Sequence, residues 1–103
     1  MPHCPREKGY CRKSNNWDQN SGEITLNKIY ADTYEKQEEC LALCLKYPGA
    51  TGCNVVWGGA LGLLTGCYVH TKDVSHGSGT DPGFSSICWV FSKCRNVLQK
   101  GSA

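Results

Sequence analysis

The sequence predicts an α+β domain, a small antiparallel β-sheet with one α-helix packed on it and held together by disulfides. Three observations predict it: eight cysteines in 103 residues, one helical segment, and several short segments rich in β-branched and aromatic residues. A chain of this length forms one domain with a modest core, so crosslinks are expected to supply much of its stability. We assign residues 1–100 to this single domain and residues 101–103 to a tail outside the fold.

The spacing of the cysteines favours disulfides over a metal site. Zinc-binding motifs repeat close Cys-x2-Cys pairs, whereas the closest pair here is Cys40 and Cys44 and the others are widely scattered. We therefore expect four disulfides, no metal and no other cofactor. The longest apolar stretch, near residues 55–69, is about 15 residues and is interrupted by glycine and polar residues, so it is too short to span a bilayer. The first four residues contain no apolar segment typical of a signal peptide.

The helix is predicted to run from Asp32 to Tyr47. Asp32 and Glu35 have the spacing of a capping box, in which two side chains bond the free backbone amides of the first turn. Cys40 and Cys44 are one turn apart and share a face of this helix. We expect that face to point inward.

Strands are predicted on both sides of the helix, where short apolar runs are bounded by Gly, Pro, Ser or Asp. One precedes the helix at 24–30, and three follow it at 53–57, 67–71 and 87–91. Their hairpin-length connections predict an antiparallel sheet. Residues 9–11 are expected to add an edge piece, and the polar, glycine-rich segment 71–83 is predicted to be a loop.

Four cysteine-containing segments follow one another along the chain: the helical Cys40-Leu41-Ala42-Leu43-Cys44, then Gly52-Cys53, Gly66-Cys67-Tyr68-Val69-His70, and Cys88-Trp89-Val90-Phe91-Ser92-Lys93-Cys94. This order resembles the PAN/apple superfamily of extracellular modules. The resemblance covers nearly the whole chain, from Cys11 to Cys94, and it agrees with the predicted placement of the helix.

The resemblance also implies how the cysteines pair, which their spacing alone leaves open. It implies two bonds from the helix to strands and two bonds between the chain ends: Cys40–Cys67, Cys44–Cys53, Cys11–Cys94 and Cys4–Cys88. The last bond is additional to the simplest six-cysteine pattern of the family. The alternative pairing Cys4–Cys94 with Cys11–Cys88 would join the chain ends equally well, so the pairing of these four cysteines stays open.

The sequence contains no arrangement typical of an enzyme. Catalysis needs an activated nucleophile, a metal with an open position or paired carboxylates. With all cysteines in disulfides no thiolate remains, and His3, His70 and His76 lack the i, i+4 spacing of metal ligands. Together with the resemblance, this predicts a secreted, non-catalytic recognition or adhesion module that binds an extracellular protein or a carbohydrate and neither binds nucleic acid nor spans a membrane.

The first candidate binding surface is basic. The two chain ends hold seven of the eleven basic residues and a single acid, Glu7, so they carry +6 while the middle of the chain carries −4. A disulfide between the ends would gather these charges into one patch that attracts sulfated glycans or acidic proteins. Heparin binding by some PAN-like modules agrees with this hypothesis. Its candidate residues are Arg6, Lys8, Arg12, Lys13, Lys93 and Arg95.

The second candidate surface is aromatic. Tyr68, His70 and Lys72 alternate with Cys67, so they line the opposite face of the sheet if the cysteine points into the core. Rings and hydrogen-bonding side chains on a sheet face suit the recognition of a sugar or a peptide. Trp17, within a polar run, is a further candidate ligand contact.

The third candidate surface is the segment 58–66, which joins two predicted strands. It contains Leu61, Leu63 and Leu64 among glycines, although hairpin loops are usually polar. These leucines either fold back on the sheet or contact a partner, such as a second copy of the chain. The alternative function is therefore a secreted inhibitor or toxin-like effector that acts through this apolar loop.

Overall fold

The computed structural model describes residues 3–59 and 63–95 of the chain. The described residues form one α-helix, seven strands and a closing 3-10 turn, in this order: β1 (Glu7–Lys8), β2 (Tyr10–Arg12), β3 (Glu23–Asn27), α1 (Tyr34–Leu45), β4 (Gly52–Gly58), β5 (Gly66–His70), β6 (His76–Ser78), β7 (Phe84–Val90) and the turn Phe91–Lys93. The predicted α+β class, with one helix on a small antiparallel sheet, is confirmed.

The main sheet has five antiparallel strands in the order β1-β7-β4-β5-β3, and β2 pairs with β6 in a separate two-stranded sheet. Helix α1 packs on β4 and β5, whereas β2 and β6 pack on β7. Because successive strand residues point to opposite faces, Cys53 and Val55 face the helix, while Asn54 and Val56 face the other way. The sheet therefore separates a helical layer from a second layer built by the N-terminal part of the chain.

The core lies mainly between the helix and the sheet. Its fully buried members include Trp89, Val55, Val69 and the four cysteines that join the helix to the strands. A smaller buried cluster of Cys11, Cys88 and Val90 lies on the opposite face of the sheet. Both faces of the central strands are thus covered, which leaves little of β4, β5 and β7 exposed.

The helix is shorter at both ends than the sequence predicts. Its N-cap is Thr33 and not Asp32: the Thr33 hydroxyl accepts a hydrogen bond from the Lys36 amide at 3.2 Å, and Asp32 forms an ion pair with the Lys36 ammonium at 3.8 Å. Thr33 has the extended backbone that a cap requires. The predicted capping box is therefore wrong: the N-cap lies one residue later, and the residue three positions after it is Lys36, which cannot form the reciprocal bond of a capping box. This 12-residue helix is the only α-helix among the described residues, and it is neither long nor apolar enough to cross a membrane.

The predicted strands form, with shifted ends, and the structure adds two that the sequence did not indicate. One is β1, only two residues long, which pairs with β7. The other is β6, which lies inside the predicted loop 71–83 and pairs with β2 around Cys11 and Gly77. The space beside Gly77 is tight, because a Cβ there would lie 2.9 Å from the Cys88 side chain. A glycine-rich strand fits this position since a larger residue would clash with the disulfide beneath it.

The two disulfides implied for the helix are confirmed, as Cys40–Cys67 and Cys44–Cys53. The pairing implied for the ends, Cys11–Cys94 with Cys4–Cys88, is wrong, and the structure contains Cys4–Cys94 and Cys11–Cys88 instead. All eight cysteines are paired.

The antiparallel pairing of the chain ends explains this exchange. Glu7 of β1 lies opposite Cys88 of β7, so the chain before Glu7 runs beside the chain that follows Cys88. A bridge between His3 and Arg95 then places the Cα atoms of Cys4 and Cys94 4.1 Å apart. Cys88 points to the face that β2 covers, where it meets Cys11.

Candidate functional site

A cavity of about 230 Å³ lies on the sheet face opposite the helix. Its floor is formed by β4 and its walls by β2, β5 and the loops around them. The lining residues are mostly polar or aromatic, and no lysine or arginine is among them: Tyr10, Cys11, Asp18, Gln19, Asn20, Glu23, Asn54, Val56, Leu64, Tyr68 and Asp81. Three carboxylates and two tyrosine rings therefore surround one small space.

Two aromatic walls of this cavity are held in place by hydrogen bonds. The Tyr10 hydroxyl donates to Asp81 Oδ2 at 3.1 Å and accepts from the Asp81 amide at 3.2 Å. The Tyr68 hydroxyl donates to the Leu64 carbonyl at 2.7 Å. Burial, followed by the nearby Asp81 carboxylate, raises the pKa of Tyr10, so its ring remains neutral near pH 7. Both rings are partly exposed, and a cation lies over each of them: the Arg12 guanidinium is 5.5 Å from the Tyr10 ring centroid and the Lys28 ammonium is 5.8 Å from the Tyr68 ring centroid.

The floor is a buried polar network centred on Asn54. Its amide nitrogen donates to Ser86 Oγ and to the Ile87 carbonyl, both at 2.8 Å. The Ser86 hydroxyl in turn donates to the Gly9 carbonyl at 3.0 Å. Because both N–H groups of Asn54 are used, its amide oxygen is the polar atom left for a ligand. The network fixes that oxygen, since a buried amide that is fully bonded on one side has little freedom to turn.

The third wall is acidic. The Asp18 carboxylate forms an ion pair with the Arg12 guanidinium, which orients it. Glu23 lies nearby at the start of β3, where burial, and after it the negative charge of Asp18, raises the pKa of Glu23. Gln19 is buried and donates to the Asp73 carbonyl. The wall thus offers carboxylate and amide groups whose positions are already set.

His70 is buried beneath this wall and does not line the cavity. Its side chain is 1% exposed, and its Nε2 lies 3.6 Å from Glu23 Oε2, which is too long for a hydrogen bond. Neither ring nitrogen has a hydrogen-bond partner among the described residues. Burial lowers the pKa of His70 from 6.5 to about 4, so the imidazole is neutral at physiological pH.

The buried His70 predicts that the domain loses stability in mild acid. Between pH 6.5 and 4 the unfolded chain binds a proton at His70 that the folded domain does not, so the free energy of unfolding is expected to fall by about 3 kcal/mol across this range. The raised pKa of Glu23 offsets part of this loss, because the folded domain takes up that proton more readily than the unfolded chain as the pH falls. Urea unfolding at a series of pH values measures the change.

Two variants separate His70 from the other titrating groups. His70→Gln should flatten the pH dependence between 6.5 and 5 whatever its effect on stability at pH 7. His76→Gln is the matched control and should keep the pH dependence, because it leaves the buried His70 in place. A wild-type stability that stays constant from pH 7 to 5 would contradict the prediction.

The remaining aromatic candidates are separated in space. Tyr68 lines the cavity, whereas Lys72 is exposed and is absent from its lining. Trp17 is 71% exposed and lies beside the cavity, next to Asp18. Of the residues that the sequence indicated for this face, the structure therefore brings Tyr68 and Trp17 to the same region and places His70 in the interior.

The basic candidates do not form one uninterrupted patch. Half of them lie in ion pairs: Arg6 with Glu38, Arg12 with Asp18 and Lys93 with Glu7. Arg6 and Lys8 line a separate groove of about 560 Å³ with Trp57 and Phe84, while Lys13 lines another depression near Ser92. Arg95 is exposed beside His3. The charge predicted at the chain ends is thus divided and partly neutralised.

The apolar loop is described only in part, because Leu61 lies outside the described residues. Leu63 is 72% exposed and Leu64 is 42% exposed. The loop is tied to the sheet beside it, since the Lys28 ammonium donates to the Leu63 carbonyl at 3.0 Å. Leu64 also lines the cavity. Leu64 therefore contributes to the site, whereas its neighbour Leu63 is largely exposed to solvent.

Among the described residues, the only group of three or more candidate metal ligands that lie close together is formed by the cysteines of the helix and its strands. The sulfur atoms of Cys40, Cys44, Cys53 and Cys67 all lie within 4.8 Å of one another. They form two disulfides. Zinc binds the thiolate, and a disulfide sulfur is not one, so this cluster stabilises the fold in its oxidised form.

Fold and site together define a small, disulfide-bonded α+β domain with an acidic, aromatic cavity on the face that the helix leaves free. Compared with protein-family models, curated proteins and solved structures, the chain matches none of them. The resemblance to PAN/apple modules therefore stays a prediction, carried by the order of the cysteines and the place of the helix.

Proposed function

We propose that this domain is a secreted, non-catalytic recognition module whose cavity binds a neutral carbohydrate. The observation that carries the proposal is the lining of the cavity: Tyr10 and Tyr68 together with three carboxylates and three amides, with no lysine or arginine from the described part of the chain. Sugars present hydroxyl groups at their edges and C–H groups on their faces. Carboxylates and amides bond the former, and aromatic rings pack against the latter.

The charge of the cavity argues for a neutral ligand over a sulfated one. A sulfate placed among Asp18, Glu23 and Asp81 would meet like charges in a partly desolvated space, which is unfavourable. Arg12 reaches the wall of the cavity but pairs there with Asp18, and Arg6 and Lys93 pair with acids away from it. A neutral sugar instead donates its hydroxyl hydrogens to the carboxylates, and such charge-assisted bonds are the strong ones.

Recognition is favoured over hydrolysis because two of the three carboxylates already have partners. Asp18 pairs with Arg12 and Asp81 accepts the Tyr10 hydroxyl hydrogen, which leaves Glu23 as the one carboxylate of the cavity without a hydrogen-bond partner among the described residues. A glycosidase needs one free acid and one free base or nucleophile on opposite sides of the bond. The four disulfides support an extracellular location, since such bonds persist mainly in oxidising compartments.

A glycan array probed at two salt concentrations, about 50 and 500 mM, tests the proposal. We expect retention on neutral glycans that changes little with salt. Retention on sulfated glycans alone, with a steep salt dependence, would contradict it and would point to the basic residues. Retention on no glycan would remove the carbohydrate function and leave the protein-binding alternative, for which Leu63 is the best-exposed apolar contact.

Asp81→Asn is expected to weaken glycan binding by about tenfold or more, because a charge-assisted hydrogen bond contributes about 1.5–3 kcal/mol. Glu35→Gln is the matched control: it makes the same chemical change in the first turn of the helix, on the opposite face of the sheet. Leu63→Asp should leave glycan binding unchanged. Equal affinities for wild type and Asp81→Asn, measured by isothermal titration calorimetry, would exclude Asp81 from the site.

A further inference from the structure

We propose that the cavity is one end of a longer site and that Trp17 provides its second subsite, so that the ligand is the end of an oligosaccharide chain and not an isolated sugar. The inference rests on the proposed function and names the ligand class more closely. It is carried by the rigid display of an exposed indole beside the cavity.

Trp17 closes the tight turn of residues 14–16. The Lys13 amide donates to the Trp17 carbonyl at 2.8 Å, and the Trp17 amide donates to Asn15 Oδ1 at 3.1 Å. Asn16 adopts a left-handed backbone, with a φ of 70°, which asparagine tolerates better than most residues. The backbone that carries the indole is therefore bonded on both sides, although the indole itself is 71% exposed.

The base of this turn is anchored to the rest of the domain. Arg12 and Asp18 form a backbone bridge as well as their ion pair, and Arg12 Nε donates to the Ser78 carbonyl at 2.6 Å. Asn16 Oδ1 lies 2.8 Å from His76 Nε2 of β6. A single exposed aromatic residue on a mobile loop needs no explanation. An exposed tryptophan on a loop bonded at its tip and at its base is preorganised, which lowers the entropy that a ligand must remove on binding.

The surface around Trp17 continues into the cavity. A shallow depression of about 380 Å³ is lined by Arg12, Asn16, Trp17, Asp18 and Asn20. Two of these residues, Asp18 and Asn20, also line the cavity. The cavity is smaller than the roughly 300–1,000 Å³ of sites that hold drug-sized ligands. A ligand longer than one small unit must therefore extend beyond the cavity, and the wall that Asp18 and Asn20 share between the cavity and the depression leads to the Trp17 indole.

The chemistry of the two parts differs in a way that suits a chain of sugars. The cavity has many hydrogen-bonding groups and takes the terminal unit edge-on. The depression has an aromatic face, with Asn16 and Asn20 at its sides, and takes the next unit by packing on the indole. The ion pair between Arg12 and Asp18 stands between them and keeps the wall rigid.

The test compares mono-, di- and trisaccharides that share one neutral terminal sugar, titrated by calorimetry into wild type, Trp17→Ala, Trp17→Phe and Tyr30→Ala. The terminal sugar is the one that the array retains best. We expect the longer glycans to bind wild type about 3- to 10-fold more tightly than the monosaccharide, as aromatic packing of this kind provides. Trp17→Ala should remove that gain without changing the affinity for the monosaccharide, and Trp17→Phe should keep part of it. Tyr30→Ala is the matched control, because it removes another exposed ring that lines neither the cavity nor the depression beside Trp17.

The possible failures are distinguishable. Equal affinities for short and long glycans, with no effect of Trp17→Ala, would overturn the second subsite and leave the proposed function intact. Loss of monosaccharide binding in a folded Trp17→Ala domain would overturn the division into two subsites. Absence of binding to every neutral glycan would overturn the proposed function and this inference with it; capture of a protein ligand that depends on Trp17 would then assign the indole to a protein interface.

Discussion

Trp89→Ala is expected to lower the free energy of unfolding by about 3–5 kcal/mol, because it removes a large, fully buried side chain from the main core. Trp89 is 0% exposed on β7, where it packs in one cluster with Val55, Val69 and Phe91. The Arg6 guanidinium lies 5.5 Å from the Trp89 ring centroid. The cavity left by the substitution cannot collapse easily, since disulfides hold the surrounding helix and strands.

Chemical denaturation of three tryptophan variants measures this effect. Trp17→Ala, at an exposed position, should change stability by no more than about 0.5 kcal/mol, and it thereby also checks the fold of the variant used for ligand binding. The loss of stability in Trp89→Phe should lie between those of Trp17→Ala and Trp89→Ala. The Trp89 indole nitrogen has no hydrogen-bond partner among the described residues, so its removal breaks no hydrogen bond. A loss below about 1 kcal/mol for Trp89→Ala would contradict the assigned core.

Joint replacement of Cys4 and Cys94 by alanine is expected to destabilise the domain by about 3 kcal/mol while leaving it folded. The bond spans a sequence separation of 90, but the Cys11–Cys88 bond already joins the two ends. While that second bond is intact, the first closes a loop of only about 13 residues, and a loop of this size corresponds to about 3 kcal/mol. The same reasoning predicts a similar loss when Cys11 and Cys88 are replaced.

Replacement of all four terminal cysteines should lower the free energy of unfolding by about 7 kcal/mol. This loss exceeds the sum of the two separate losses, because the last bond to be removed closes a far longer loop. Urea unfolding of the three variants measures this coupling. Thiol titration of the Cys4/Cys94 variant should detect no free thiol. The control variant with Cys4 and Cys88 replaced should contain free thiols at Cys11 and Cys94, and the opposite result would restore the pairing implied by the family resemblance.

Much of the fold could be predicted from local patterns. The spacing of Cys40 and Cys44 predicted a helical face that points inward, and both are buried against the strands. The hydrophobic runs predicted β4, β5 and β7 to within a few residues. The short strand β6 could not be found in this way, because His76, Gly77 and Ser78 have no strand pattern and pair with β2 only where the chain crosses the Cys11–Cys88 bond.

The site was far less accessible to sequence reasoning. Tyr68 was indicated by alternation along its strand, but Tyr10 and Asp81 are 71 positions apart and nothing local links them. Asn54 is a lone polar residue in an apolar strand, and this is the one local signal that marks it. His70 has the same alternation as Tyr68, yet its side chain is 1% exposed, so the pattern placed it on the correct face without revealing that this face is buried there.

The sequence by itself determined the class of the domain, the number of its crosslinks and the position of its helix, because each depends on residue types and spacings within short stretches of chain. Only the tertiary structure decided which cysteines join the ends, since that follows from the antiparallel pairing of β1 with β7 and the bridge from His3 to Arg95. It also decided the charge of the surfaces. The basic ends are divided by ion pairs with acids distant in the sequence, and carboxylates from three separate segments converge on one cavity, because long-range packing and not local composition places them together.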